Sequence, residues 1–278
     1  RAQNVAADCH GIGVTSSPMN FKTITLHESD GIALLTLNRP DKRNAISYEL
    51  IADLQHAFDA ISSSQSQVLI ITGAGKAFCS GMDLEDLKSL IGRTEEQNLE
   101  DSRIMARLFR SIYDFTKPTI AAVNGAAIAG GTGIATICDF TLATPEAKFG
   151  YTEVRIGFVP AIVSNFLLRQ VGEKHARDLL LTGRIFDAAE ALRLGLVNEI
   201  VEPGHLLPRA YELARTLMEN SPASLRGTKE LLSQTVNEEL DRRLEASIAE
   251  NARIRQTHDF REGITSFLEK RKPRWSGE

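Results

Sequence analysis

The sequence predicts an α/β core followed by an all-helical region, and three observations carry that reading. Short apolar or β-branched runs alternate with stretches of helical periodicity as far as Val201. From His205 onward only helical periods remain. Twice, near Met82 and near Gly130, a strand-like run breaks on a glycine-containing turn that opens a helix. The expected organisation is residues 1–18 as an N-terminal extension or expression remnant, with Met19 as the natural start. Residues 19–204 then form the α/β core and 205–278 the helical oligomerisation region.

Taken in order, residues 21–26 and 32–37 read as strands joined by a hairpin turn at Ser29-Asp30-Gly31. A polar, basic loop follows at residues 38–44. Leu50, Ile51, Leu54, Phe58 and Ile61 then recur at helical spacing behind Ser47, a plausible N-cap. Residues 68–71 read as a short buried strand running into a small-residue turn at 72–83. The polar stretch 92–100 is expected to be mobile. Ile104, Met105, Leu108, Phe109, Ile112 and Tyr113 form the apolar face of a helix that ends before Lys117-Pro118. Residues 119–123 are a buried strand, Asn124-Gly125 breaks it, and Gly130-Gly131 leads into the next helix. Beyond a strand at 140–143, the loop 149–160 holds one carboxylate, Glu153, among apolar and aromatic neighbours. Helical periods at 162–171, 174–181 and 188–194, a strand at 197–201 and a charged final helix near 263–272 complete the chain.

Composition narrows the function classes. The 278 residues are 42% hydrophobic and 24% charged, which suffices for one large core. A net charge of -4 gives no general attraction to nucleic acid or anionic lipid. Cys9, Cys79 and Cys138 are too few and too scattered for a disulfide framework or a zinc site, and they fit a reducing compartment, taken as the cytoplasm. No apolar run reaches membrane-spanning length, and residues 1–18 lack a secretory signal.

The chemistry of the glycine-rich turns lies in the backbone. A chain poor in side chains just before a helix leaves N–H groups unpaired, and these stabilise a phosphate or a developing oxyanion. The phosphate version fails, because residues 125–132 read G-A-A-I-A-G-G-T, with Gly131 where a P-loop requires lysine. The bland alternative is close packing of a helix on a strand. Two such turns, at Met82 and Gly130, could supply two donors to one cleft, or be unrelated. Glu153 is the best general-base candidate, since apolar neighbours raise a carboxyl pKa toward neutrality. An ion pair with Arg155 is its structural alternative. No G-x-S-x-G elbow and no metal-ligand spacing occur, and His175 and His205 are expected at the surface. Lys270, Arg271, Lys272 and Arg274 form a basic cluster, either a solvated helix end or a phosphate-capturing group.

Together these segments resemble the crotonase family, the enoyl-CoA hydratase/isomerase superfamily. The likeness runs from about Phe21 to the C-terminus. It rests on Asn38-Arg39-Pro40 with Asn44-Ala45, and on Ala77-Phe78-Cys79-Ser80-Gly81-Met82-Asp83-Leu84. Further matches are Ala122-Val123-Asn124-Gly125 through Gly130-Gly131 to Cys138-Asp139, the loop 149–160, Leu181-Thr182-Gly183, Leu194-Gly195-Leu196-Val197 and Phe267-Leu268-Glu269-Lys270-Arg271. The resemblance implies a ββα spiral core with a C-terminal α-helical trimerisation region, assembled as trimers or hexamers. It implies an acyl-CoA thioester as ligand, with no metal and no cofactor other than the substrate's own CoA. The N–H groups of Met82 and Gly130 would form the oxyanion hole. Lys42 or Arg43 would lie near the CoA phosphates, and Ala77, Ser80, Asp83 and Leu84 would belong to the CoA-binding segment. Phe267 and Lys270 would reach the CoA of a neighbouring subunit.

One departure bears on mechanism. Well-studied hydratases of the family carry two catalytic glutamates; here the first position is Gly133 and only Glu153 remains. Isomerases of the family manage with that single glutamate. The segment 153–161 resembles the methylglutaconyl-CoA hydratase branch, which also has glycine at the Gly133 position. The expectation is a 2-enoyl-CoA hydratase, with a Δ3-Δ2 enoyl-CoA isomerase as the alternative. A non-catalytic CoA-binding protein and an RNA-binding relative rank below these, the latter opposed by the acidic balance.

Overall fold

The computed structural model describes residues 21–278; the expectations for residues 1–18, Cys9 and Met19 fall outside it. The first hairpin pairs β1 (Ile24–Ser29) with β2 (Ile32–Leu37) in antiparallel register. Asp30 and Gly31 both take positive φ, 51° and 77°, the two-residue turn that matches strand twist. Helix α1 (Tyr48–Ser63) starts where expected, the Ser47 hydroxyl accepting the Leu50 N–H at 3.1 Å. β3 (Val68–Gly73), β5 (Thr119–Val123), β7 (Phe140–Ala143) and the two-residue β10 (Glu199–Ile200) add in parallel to give a six-stranded sheet, β1-β2-β3-β5-β7-β10.

The inner strands β3, β5 and β7 of that sheet are buried on both faces, which explains their nearly continuous apolar runs, whereas the edge strand β1 is largely exposed. Leu69, Ile71, Ala121 and Val123 point into the main core with α1 and α3 (Glu95–Tyr113). Their alternates Val68, Ile70, Ile120 and Ala122 meet Leu206, Ala210 and Ala214 of α7 (Leu206–Met218). The first helix of the C-terminal region therefore packs on the sheet itself. The stretch expected to be mobile is built into a helix start instead: Thr94 and Gln97 form a capping box and Asn98 is fully buried.

A second sheet was not legible in the sequence. β4 (Ala77–Cys79), β6 (Ala126–Ile128) and β8 (Lys148–Gly150) run parallel, and β9 (Ile185–Asp187) closes the edge antiparallel to β8. Each has three residues, too few to show period-two alternation. Their C-terminal ends lead to α2 (Leu84–Ser89), to α4 (Gly130–Ile137) and to a 3-10 turn at Glu153–Ile156. The segment Ala161–Thr182, α5, is broken at Gly172 (φ 73°, ψ 169°) into the two helices its periodicity implies. Short α6 (Ala188–Arg193) precedes β10, and α8 (Pro222–Gln234), α9 (Asn237–Ile254) and α10 (His258–Leu268) complete the chain.

Candidate active site

Three parallel strand ends bring the candidate residues together. β4 delivers Met82, β6 delivers Gly130 and β8 delivers Glu153, side by side at the carboxyl edge of one sheet. Two close approaches clamp the first two turns. A Cβ on Gly131 would stand 2.2 Å from the Cys79 carbonyl oxygen. Gly81 (φ 88°) is set against Ile128 and Ala129, where its Cβ would lie 3.1 Å from the Ile128 carbonyl oxygen. The turns that the sequence left unconnected thus meet. The third strand is locked to the second by Thr132. Its hydroxyl donates to the carbonyls of Ala127 (2.6 Å) and Gly150 (3.0 Å) and accepts the Gly150 N–H (3.1 Å).

The Met82 backbone is held on both sides by Ile46. The Ile46 N–H donates to the Gly81 carbonyl (2.7 Å), and the Asp83 N–H donates to the Ile46 carbonyl (2.8 Å). Among the described residues, neither the Met82 N–H nor the Gly130 N–H has an acceptor. Gly130 is the first residue of α4, so its N–H also sits at the positive end of that helix. Ala129 before it adopts φ 50° and ψ -121°, a conformation that costs an L-residue on the order of 1–3 kcal/mol. Its own N–H donates to the Gly150 carbonyl at 2.7 Å, which holds the strained turn in place. Ala129 was not legible in the sequence, because alanine carries no turn signal.

Glu153 is 8% exposed, and its Oε2 is buried with no hydrogen-bond partner. Burial, offset only by its own backbone N–H, raises its pKa from 4.5 to about 7. Among the described residues that oxygen meets no guanidinium, so the ion pair with Arg155 offered as the structural alternative is not made through it. Gly133 is sealed: its Cβ would meet Val163 Cγ1 at 2.7 Å and Phe109 Cε1 at 2.8 Å. A side chain, let alone a carboxylate, cannot be projected from α4 at that point without moving both. Cys79 beside this site is fully buried and its thiol is pushed up to about 12, which makes it a packing residue.

The other candidates gather on the Met82 side. Asn44, wholly buried at φ 55°, accepts the Arg39 N–H (2.9 Å) and donates to the carbonyls of Ala74 (2.9 Å) and Ala77 (2.8 Å). That fixes the basic loop over β4 and presents Lys42 and Arg43 at the surface. Lys42 stands 3.6 Å from Glu85, both exposed. The Ser80 N–H is spent on the Arg43 carbonyl (3.1 Å), and Ala77 is buried in the strand. Asp83 has a structural task, capping α2 and pairing with Arg39 at 2.8 Å. Leu84 is 51% exposed beside it.

Helix α10 lies against the Glu153 turn and α2 of its own chain. Gly263 abuts the Ile156 carbonyl, and Phe260 and Ile264 pack with Leu87, Leu90 and Met82. Phe267 and Lys270 stand exposed at the end of that helix, while Arg271 is paired with Glu262 and Glu269. His175 and His205 are exposed, as expected.

Two N–H groups without an acceptor and a buried carboxyl whose pKa burial raises stand at neighbouring strand ends, an arrangement able to hold an oxyanion and move one proton. The fold that carries it is shared. The chain belongs to the enoyl-CoA hydratase/isomerase family, the crotonase fold: residues 27–278 match that family's profile. It is 45% identical over 249 residues to a Thermus thermophilus protein provisionally named an enoyl-CoA hydratase, covering 89% of this chain and 98% of that one. It is 34% identical to the crotonyl-CoA hydratase of Syntrophomonas wolfei, covering 91% and 98%. The crystal structure of an enoyl-CoA hydratase from Mycobacterium avium superposes with a TM-score of 0.82 at 34% identity, covering 91% of this chain and 99% of that one.

Proposed function

We propose that this enzyme hydrates the 2,3 double bond of an acyl-CoA thioester. The observation that carries the reading is the triplet at adjacent strand ends: free N–H groups at Met82 and Gly130, and Glu153 with an unpartnered oxygen. The thioester oxygen accepts from both N–H groups, which makes C3 electrophilic and stabilises the enolate. Glu153 takes a proton from water as the hydroxyl adds to C3. The same carboxyl then returns that proton to C2, so one molecule of water is added and Glu153 is regenerated. The seal over Gly133 supports this single-carboxylate scheme. In this reading Lys42 or Arg43 lies near the CoA phosphates, Ala77, Ser80, Asp83 and Leu84 shape that side, and Phe267 and Lys270 reach the CoA of a neighbouring subunit. No cofactor beyond the substrate's CoA is required.

The same seal favours a second reading, a Δ3-Δ2 enoyl-CoA isomerase in which Glu153 carries a proton between C2 and C4. The likeness of segment 153–161 to the methylglutaconyl-CoA hydratase branch makes 3-methylglutaconyl-CoA the first substrate to try. Assembly as trimers or hexamers is supported by α8, which has no buried residue among the described residues and exposes Leu231 (64%) and Leu232 (66%). Among the described residues no helix is long and apolar enough to cross a membrane.

The test is turnover of crotonyl-CoA and 3-methylglutaconyl-CoA, followed by loss of the enoyl-thioester absorbance, with Glu153→Gln alongside. Loss in wild type that falls by about 10²–10⁴-fold in the variant is expected of a hydratase. A rise in that absorbance from a 3-enoyl-CoA, with no hydration, identifies the isomerase. Acyl-CoA binding without turnover of any of the three overturns both readings.

A further inference from the structure

Between the Met82 turn and the Glu153 turn lies a buried polar network that the chemistry above does not use. Its centre is the ion pair of Asp101 on α3 with Arg255 at the end of α9, both side chains 2% exposed. Arg255 also donates to Asn251 (2.6 Å) and Asn98 (3.4 Å). Asp101 accepts from the Tyr48 hydroxyl and from Arg93 (3.2 Å), and Arg93 donates to the Tyr48 oxygen (2.8 Å). Removing two charges from water costs several kcal/mol per ion, and apolar replacements of such pairs are often neutral or stabilising. Stability alone is therefore a poor reason for its presence.

Both ends of the network touch the site's scaffold. At one end the Arg255 guanidinium lies over the Phe158 ring, 5.3 Å from its centroid. Phe158 also packs against Phe260 of α10, with ring centroids 5.5 Å apart and planes tilted by 51°, and its N–H donates to the Glu153 carbonyl at 3.0 Å. At the other end, Tyr48 opens α1 two residues after Ile46, the residue that brackets the Met82 peptide. The Tyr48 N–H also donates to Asp86 of α2 (3.2 Å), the helix that follows Met82. Asp86 is the second acid near Arg93, so the charges along the network are Asp86, Arg93, Asp101 and Arg255.

We infer that Arg255 and Asp101 are positioning residues that fix the base-bearing turn against the donor-bearing turn, acting through Phe158 and Tyr48 without touching substrate. Misplacing a reacting group by about 1 Å costs on the order of 10²-fold in rate. The experiment compares wild type with Arg255→Lys, Arg255→Met and the double variant Arg255→Met/Asp101→Asn, which removes both fully buried charges together and leaves Arg93, 23% exposed, beside Asp86. Two readouts are taken: kcat and KM on the enoyl-CoA that wild type turns over, and hydrogen exchange of individual amides. The expected result is a kcat lower by about 10²-fold with KM changed by no more than a few-fold. Exchange at Phe158 should rise at least about 10-fold in the double variant while the core amide of Ile70 is unchanged, and Arg255→Lys should recover part of both effects. Wild-type kcat in a folded double variant overturns the inference. So does a uniform rise in exchange across the core, which marks a purely structural pair. The kcat arm rests on the proposed activity. If wild type turns over no enoyl-CoA, that reading fails on its own, and protection at Phe158 still decides the inference.

Discussion

Glu153→Gln separates a buried titrating carboxyl from a neutral isostere, and its effect on stability has a sign fixed by the structure. Folded, Glu153 titrates at about 7; its ordinary value is 4.5. Between those two pH values the native chain binds the proton and the unfolded chain has released it. Native stability contributed by this group is therefore full below about 4.5, falls as pH rises through the window, and reaches its full penalty above about 7. At about 1.4 kcal/mol per pH unit, the gap corresponds to about 3 kcal/mol. Glutamine does not titrate and carries no such slope, whatever fixed cost its buried amide imposes. The stability of the variant relative to wild type should thus rise by about 3 kcal/mol between about pH 4.5 and about pH 8. Urea unfolding of both proteins at each pH measures this, and the subtraction cancels every other titrating group. Parallel stability curves would refute the burial argument. In wild type the rate should climb through a midpoint of about 7 as the base ionises, and that limb should be missing in the variant.

Three further substitutions probe the scaffold. Gly133→Ala drives a Cβ into Val163 and Phe109 and should destabilise by about 1–3 kcal/mol; adding Phe109→Leu should recover part of the loss in a urea double-mutant cycle. Asn44→Ala removes three hydrogen bonds from a fully buried residue and leaves the Ala74 and Ala77 carbonyls unpaired, at a cost of about 3 kcal/mol. An unchanged urea midpoint there would show that the loop 38–44 is not held as described. Ala129→Gly relieves the strained φ of 50° and should raise the melting temperature, while kcat falls as the Gly130 N–H loses its fixed direction. A lower melting temperature would contradict the strain.

The candidate residues were legible because each carries a local signal. Glu153 is a lone carboxyl in an apolar loop, Gly81 and the Gly130-Gly131 pair mark turns before helices, and Ser47 precedes a helical period. These are properties of a few neighbouring residues, so the chain states them directly. What assembled them was not local. The three-residue strands Ala77–Cys79, Ala126–Ile128 and Lys148–Gly150 are too short to alternate visibly, and their pairing decides that Met82, Gly130 and Glu153 meet. Gly133 reads in sequence as a missing glutamate; only the packing of Phe109 and Val163 shows that the space itself is filled. The placement of α10 over its own Glu153 turn is equally a tertiary outcome. So is the Asp101–Arg255 pair, whose members stand 154 positions apart. Side-chain identity sets which groups can accept, donate or titrate, whereas burial and strand pairing between distant segments set which of them share one site.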